Sequence, residues 1–96
     1  MILVIGSVLA RADAAEEVAR LAAEHCRRSR AEPGCLHHAV HRDVEEPRRF
    51  VFVERWADRA GLDAHFALPA SGETVRALGA LAAERPTIAV HEVADG

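Results

Sequence analysis

Lysine and tyrosine are both missing from this sequence of 96 residues, and each absence excludes a kind of chemistry. All twelve basic residues are arginine, so no side chain can form a Schiff base with a carbonyl substrate. Without tyrosine, no phenol is present to act as an acid or a radical relay. Two cysteines, Cys26 and Cys35, are too few for a disulfide framework, and we expect both to be buried free thiols.

Long apolar runs and basic patches are also missing. No apolar run approaches the length of a membrane span, and the short apolar start lacks the basic flank of a signal peptide. The formal net charge is -3, and the Arg27, Arg28 and Arg30 group falls where a helix should end, an end that basic residues suit. We therefore expect a cytoplasmic protein with no nucleic-acid partner and no membrane partner.

Hydrophobic periodicity predicts four strands, over residues 2–10, 35–44, 49–57 and 87–93, and a polar tail over 94–96. A capping box at Asp13 and Glu16 predicts the start of the first helix. Asp58 should cap a short helix that Pro69 ends, and Ser71 should cap the next one. The order β-α-β-β-α-β, with its second helical part broken in two, predicts an α+β fold of the ferredoxin-like split βαβ type. We expect one domain over residues 1–96, with a four-stranded antiparallel sheet.

Two of the predicted strands are apolar on both faces. Strand one places Ile and Val on one face and Leu and Ile on the other, and strand three alternates Phe and Val in the same way. Helices can cover only one face of the sheet, so the other face would expose a larger apolar patch than soluble monomers usually tolerate. The pattern therefore predicts a homodimer through the sheet faces, with the Val51, Val53 and Arg55 face toward the partner.

Three short strings stand in a fixed order along the chain. Glu32-Pro33-Gly34-Cys35 forms a turn, Glu54-Arg55-Trp56 lies on strand three, and Ala64-His65 lies on the short helix. Together they resemble the antibiotic biosynthesis monooxygenase family of dimeric α/β-barrel proteins, whose pattern is an E-P-G-C turn, an E-x-W and an A-H. The resemblance covers about residues 2 to 93.

The resemblance implies a dimer whose two sheets close into a barrel and a pocket in each subunit between sheet and helices. It also implies oxidation of aromatic polyketides or quinols by O₂ without metal or flavin, so no cofactor is expected. Haem-degrading relatives need Asn, Trp and His at positions that are Gly6, His65 and Thr74 here. All three depart, so haem is not expected either.

Glu54 and His65 are the predicted catalytic residues. A carboxylate on an apolar strand face is a candidate general base, since desolvation raises its pKa, and histidine transfers protons near neutral pH. Structural alternatives remain open. Glu54 could be paired with Arg49 or a helix N-terminus, and His65 could be a hydrogen-bonded or half-exposed residue.

The predicted substrate-binding residues are Trp56, His38, Phe52 and Phe66. Trp56 could stack on a planar substrate or could be an anchor of the core or dimer. His38, expected to share a strand face with Leu36 and Val40, could bond a substrate oxygen.

No metal site is predicted. His37 and His41 are about 13 Å apart along one strand, too far to share an ion, and a site with Cys35 is not expected. His25 and His91 have no predicted role.

These residues favour a cofactor-independent monooxygenase acting on a small phenol, quinol or polyketide-like ring. A non-catalytic dimeric binding or stress-response module and an isomerase of a small oxygenated metabolite remain as alternatives.

Overall fold

The computed structural model describes residues 1–94, which form four strands and three helices in the predicted order. Their bounds are β1 Ile2–Leu9, α1 Ala15–Ser29, β2 Cys35–Arg42, β3 Arg49–Trp56, α2 Arg59–Ala67, α3 Pro69–Leu81 and β4 Thr87–Glu92. Each strand begins where the sequence predicts and ends one or two residues earlier. The end of the predicted polar tail, Asp95 and Gly96, lies outside the described residues. Across residues 1–94, no helix has the length and apolar character needed to span a bilayer.

The four strands form one antiparallel sheet in the order β2-β3-β1-β4. The two central strands, β1 and β3, are the two whose sequences are apolar on both faces. Strand β1 separates β3 from β4, which is the connectivity of the ferredoxin-like fold. The predicted fold class, α+β with a four-stranded antiparallel sheet, is confirmed.

The two faces of the sheet differ in burial. On the inner face, which the helices cover, Val4 and Trp56 are fully buried and Phe50 is 3% exposed. On the outer face, Ile5 and Val53 stay partly exposed in the single chain. Burial therefore follows the alternation along the strands, and no helix within residues 1–94 covers the outer face.

The inner face carries two hydrophobic clusters. The larger one joins β1 and β3 to α1 and α3, with Val18, Phe50 and Leu78 among its buried residues. The smaller one packs Trp56 and Leu62 against the start of β1. Because α2 supplies Leu62, this second cluster fixes the helix that carries the predicted catalytic histidine.

The helix starts correct two predictions. Asp13 does not cap α1, because the N-cap residue is Ala14 and no side-chain cap bond forms there. Ser71 does not cap α3, because that helix begins two residues earlier at Pro69, where a missing N–H is harmless. Asp58 caps α2 as predicted, since its Oδ1 accepts the Gly61 N–H at 2.9 Å.

Candidate functional site

A cavity of about 210 Å³ lies between the inner face of the sheet and the helices. Its walls are mainly apolar and include Phe52, Phe66 and Leu78, while His25, Glu54 and His65 form polar parts of its lining. A larger hollow of about 390 Å³ lies outside this space, between the turn at residues 32–34 and α2. No imidazole lines that hollow, so the inner cavity is where the chemistry-bearing side chains meet.

His65 is held against the turn that precedes β2. Its Nδ1 lies 2.8 Å from Oε1 of Glu32, and because a carboxylate can only accept, Nδ1 donates the hydrogen bond. Gly34 permits the turn with φ 84°, a region that other residues rarely adopt. At Gly61 a Cβ would lie 3.3 Å from the Pro33 carbonyl, so a glycine there lets α2 approach closely. The Glu-Pro-Gly turn thereby sets the orientation of the His65 ring.

Glu54 lies on β3 with its carboxylate buried. Its Oε1 accepts the indole N–H of Trp56 at 3.0 Å and lies 3.2 Å from Nε2 of His38. Burial by itself acts to raise the pKa of Glu54, but the contact with His38 and the Trp56 N–H outweigh it, and the pKa lies below its ordinary value. Arg49, one of the alternative partners that the sequence left open for Glu54, instead contacts Ser7 and Glu84.

His38 is 1% exposed and lies opposite Glu54 in the pairing of β2 with β3. Its Nδ1 is 3.2 Å from Sγ of Cys26. The contact of Nε2 with Glu54 is within ion-pair distance but lacks hydrogen-bond geometry, so Nε2 has no hydrogen-bond partner among residues 1–94. The prediction that Leu36 shares the strand face of His38 is wrong. The register of β2 shifts between Cys35 and His37, and Leu36 is 59% exposed while His38 is buried.

His25 enters the same site from α1, although no role was predicted for it. Burial, together with the neighbouring His38 and His65, lowers the pKa of His25 to about 4, so the ring is neutral near pH 7. The adjacent Cys26 is buried as expected, whereas Cys35 is only half-buried. Burial raises the pKa of the Cys26 thiol to about 11. A signal for His25 was present, because it falls on the buried helical stripe of Val18 and Ala22.

Three imidazoles thus meet from three different elements. The ring centroids of His25, His38 and His65 are 5.2, 5.2 and 5.4 Å apart. All three side chains are at most 8% exposed. The sequence separates these residues by 13 and 27 positions, so only the fold brings them together.

The structure places the six predicted site residues in two layers, and His38, which does not line the cavity, belongs with Trp56 in the buried layer. Glu54, His65, Phe52 and Phe66 line the cavity. Trp56 is fully buried in the smaller hydrophobic cluster and gives its N–H to Glu54, so it lies behind the cavity wall. Its ring centroid is 4.8 Å from that of His65, which makes it a support for both candidate catalytic residues.

The sequence profile of the family described as antibiotic biosynthesis monooxygenase matches residues 1–77. The chain belongs to this family. An uncharacterised protein of Synechocystis sp., sll1783, is 34% identical over 94 residues; the match covers 98% of this chain and 64% of that protein.

Solved structures of similar proteins agree with this family. A Deinococcus radiodurans protein is 27% identical with a TM-score of 0.94, covering 100% of this chain and 95% of its own. A structure described as antibiotic biosynthesis monooxygenase is 30% identical with a TM-score of 0.90, covering 99% of this chain and 100% of its own. The family predicted from the three short strings is therefore confirmed.

Proposed function

We propose that this member of the antibiotic biosynthesis monooxygenase family oxidises a small planar phenol or quinol with O₂. The observation that supports this most is the cavity, where an apolar wall with Phe52 and Phe66 meets a polar lining with His65 and Glu54. Such a site suits a flat ring with one ionisable oxygen, since a few placed polar groups orient a ligand held by apolar contacts.

His65 is the proposed base. Its Nδ1 is committed to Glu32, so Nε2 is the atom left to take a proton from the substrate hydroxyl. The Glu32 carboxylate would then stabilise the imidazolium that forms. Glu54 is the second candidate, although His38 and Trp56 already contact its Oε1.

The proposed oxidation balances without a further reductant. Deprotonation gives an electron-rich anion, which passes an electron to O₂, and recombination forms a carbon–oxygen bond at the ring. Overall the substrate loses two hydrogen atoms, counted over its ring carbon and hydroxyl groups, and gains one oxygen atom to give a quinone, and the second oxygen atom leaves with those hydrogens as water. The substrate supplies all four electrons, so the protein has to bind, deprotonate and exclude water.

The size of the cavity favours small substrates. About 210 Å³ is below the range of roughly 300–1,000 Å³ that is typical of ligand pockets. We therefore expect quinols and naphthols of one or two rings to react faster than a polyketide-like compound of three or more rings.

A homodimer through the outer faces of the sheets is part of the same proposal. Ile5 and Val53 lie side by side in the pairing of β1 with β3 and stay partly exposed in one chain. Packing a second copy on this face would bury them, and each such side chain contributes roughly 1.5–3 kcal/mol when fully buried.

Oxygen uptake with a panel of quinols, naphthols and anthrones tests the function. We expect wild-type protein to consume O₂ with at least one of them, and His65→Ala to slow the reaction by about 10² to 10⁴-fold, the usual contribution of a general base. Glu54→Gln tests the second candidate base, and His41→Ala, an exposed histidine on β2, is the matched control.

Uptake that survives both His65→Ala and Glu54→Gln would contradict the assigned base. Binding of a panel compound without any O₂ uptake would instead favour the non-catalytic binding module. Conversion of a substrate to an isomer without O₂ uptake would favour the isomerase.

A further inference from the structure

We infer that the three buried histidines and Glu54 form a binding site for a divalent transition-metal ion such as Zn²⁺ or Co²⁺. His25, His38 and His65 supply imidazole nitrogens that all lie within 4.8 Å of one another. Imidazole is a preferred ligand of these ions, and three histidines plus one carboxylate give four donors. This donor set differs from the one rejected on sequence grounds, which involved His37 and His41.

The arrangement of the rings fits one shared ion. Imidazoles bound to a tetrahedral ion at about 2.0–2.1 Å have ring centroids about 5 Å apart. The centroids of the three rings are 5.2, 5.2 and 5.4 Å apart. Their nitrogens would be about 3.3 Å apart around the ion, so each pair has to close by at most about 1.5 Å.

Glu54 is proposed as the fourth donor from its contact with His38, while the group of mutually close ligand atoms consists of the three histidines alone. Its Oε1 lies 3.2 Å from Nε2 of His38, close to the spacing of about 3.3 Å between two ligands of one tetrahedral ion. Nε2 is buried and has no hydrogen-bond partner among residues 1–94. Its contact with Glu54 lacks hydrogen-bond geometry, and a metal ion would give this buried nitrogen a well-directed partner.

Outer contacts already orient two of the rings. Glu32 lies 2.8 Å from Nδ1 of His65, and Sγ of Cys26 lies 3.2 Å from Nδ1 of His38. In metal sites the second ring nitrogen of a ligating histidine usually donates to such a partner, which fixes the ring and leaves the other nitrogen free for the ion. Trp56 orients the carboxylate of Glu54 in the same way.

The inferred site stands independently of the proposed oxidation, because ion binding is measured without substrate. Because the ion and the substrate proton would take the same Nε2 lone pair of His65, a bound ion should compete with the substrate. If the protein binds the ion but consumes no O₂, the metal site is supported and the proposed oxidation is contradicted. If it consumes O₂ but binds no ion, the oxidation is supported and the metal site is contradicted.

Titration of chelator-treated protein with Co²⁺ tests the inference. We expect one Co²⁺ per chain, the visible absorption of tetrahedral Co²⁺, and displacement by Zn²⁺. His25→Ala, His38→Ala and His65→Ala should each weaken binding by at least tenfold, and Glu32→Gln by about 10 to 100-fold through the orientation of His65. His41→Ala, an exposed histidine on β2, should leave the affinity unchanged.

An NMR titration of wild-type protein with Zn²⁺ tests the metal site even where a variant fails to fold. Zn²⁺ should shift the imidazole NMR signals of His25, His38 and His65 and leave those of His37, His41 and His91 in place. Shifts confined to the latter three histidines, or no Co²⁺ absorption at millimolar metal, would overturn the inference.

Discussion

The two faces of strand β3 differ in burial, although one alternating sequence forms both. Val51 and Val53 on the outer face are partly exposed in the single chain, whereas Phe50 and Phe52 on the inner face are buried under the helices. The inner face then turns polar at Glu54 because histidines from α1, β2 and α2 converge beside it. Burial under the helices explains the inner face, and the buried Glu54 carboxylate beside His38 distinguishes it from the partly exposed outer face.

The largest expected effect comes from placing a charge on the outer face. If two copies pack through this face, Val53→Asp removes two buried valines per dimer, one from each protomer. The loss is about 3–6 kcal/mol, which weakens association by about 10² to 10⁴-fold. Sedimentation velocity at micromolar concentration should show dimers for wild-type protein and monomers for the variant. Val44→Asp, at a turn position 97% exposed, is the matched control.

Equal sedimentation of wild-type protein, Val53→Asp and Val44→Asp would contradict the proposed interface. A wild-type monomer at micromolar concentration would contradict the dimer itself. The apolar residues of the outer face would then have no explanation in dimer formation.

The inner face should respond within the single chain. Trp56→Ala removes the largest buried side chain and leaves the Glu54 carboxylate without its indole donor. We expect the free energy of unfolding in urea to fall by about 3–5 kcal/mol, the usual cost of such a truncation. Val44→Ala should change it little, because Val44 is exposed.

The dependence of the stability loss on protein concentration distinguishes substitutions on the two faces. The loss at Trp56 should persist at every protein concentration, whereas the effect of Val53→Asp should grow as concentration rises, since dimer stability depends on mass action. A concentration-dependent loss at Trp56 would place that residue in the interface instead, as one reading of the sequence allows.

The sequence predicts features that depend on a pattern within one strand or helix. It does not predict a group of side chains that several strands and helices bring together. Alternation within β1 and β3 predicts the sheet and its faces, and the turn residues predict the connections between strands. The placement of Glu54 and His65 in one cavity also agrees with the three short strings. His25 could not be assigned a role, because its partners lie 13 and 40 residues away and only the sheet order brings them close.

Helix starts mark a second limit of sequence reading. Asp13 and Asp58 both precede helical stretches, but only Asp58 accepts a hydrogen bond from the first turn. The side chain of Asp13 is 85% exposed and lies 3.7 Å from Arg11. A capping motif therefore predicts that a helix begins nearby, while the cap bond forms at Asp58, which is the N-cap residue of α2, and not at Asp13, which precedes the N-cap residue Ala14.

The smallest effect is expected from replacing these two aspartates, which lie on the helix side of the sheet and not on its outer face. Asp58→Ala should cost about 1 kcal/mol in urea unfolding, because it removes the cap of α2, whereas Asp13→Ala should cost close to nothing. Since α2 carries His65, the Asp58 variant should also loosen the contact with Glu32 and broaden the His65 imidazole signal in NMR spectra. Sheet dimers should be unaffected, because Asp58 lies on the helix side.

Two outcomes would contradict these expectations. A loss of equal size in Asp13→Ala would mean that α1 is capped by Asp13 in solution. Broadening of outer-face NMR signals in Asp58→Ala would mean that the two faces of the sheet are not independent.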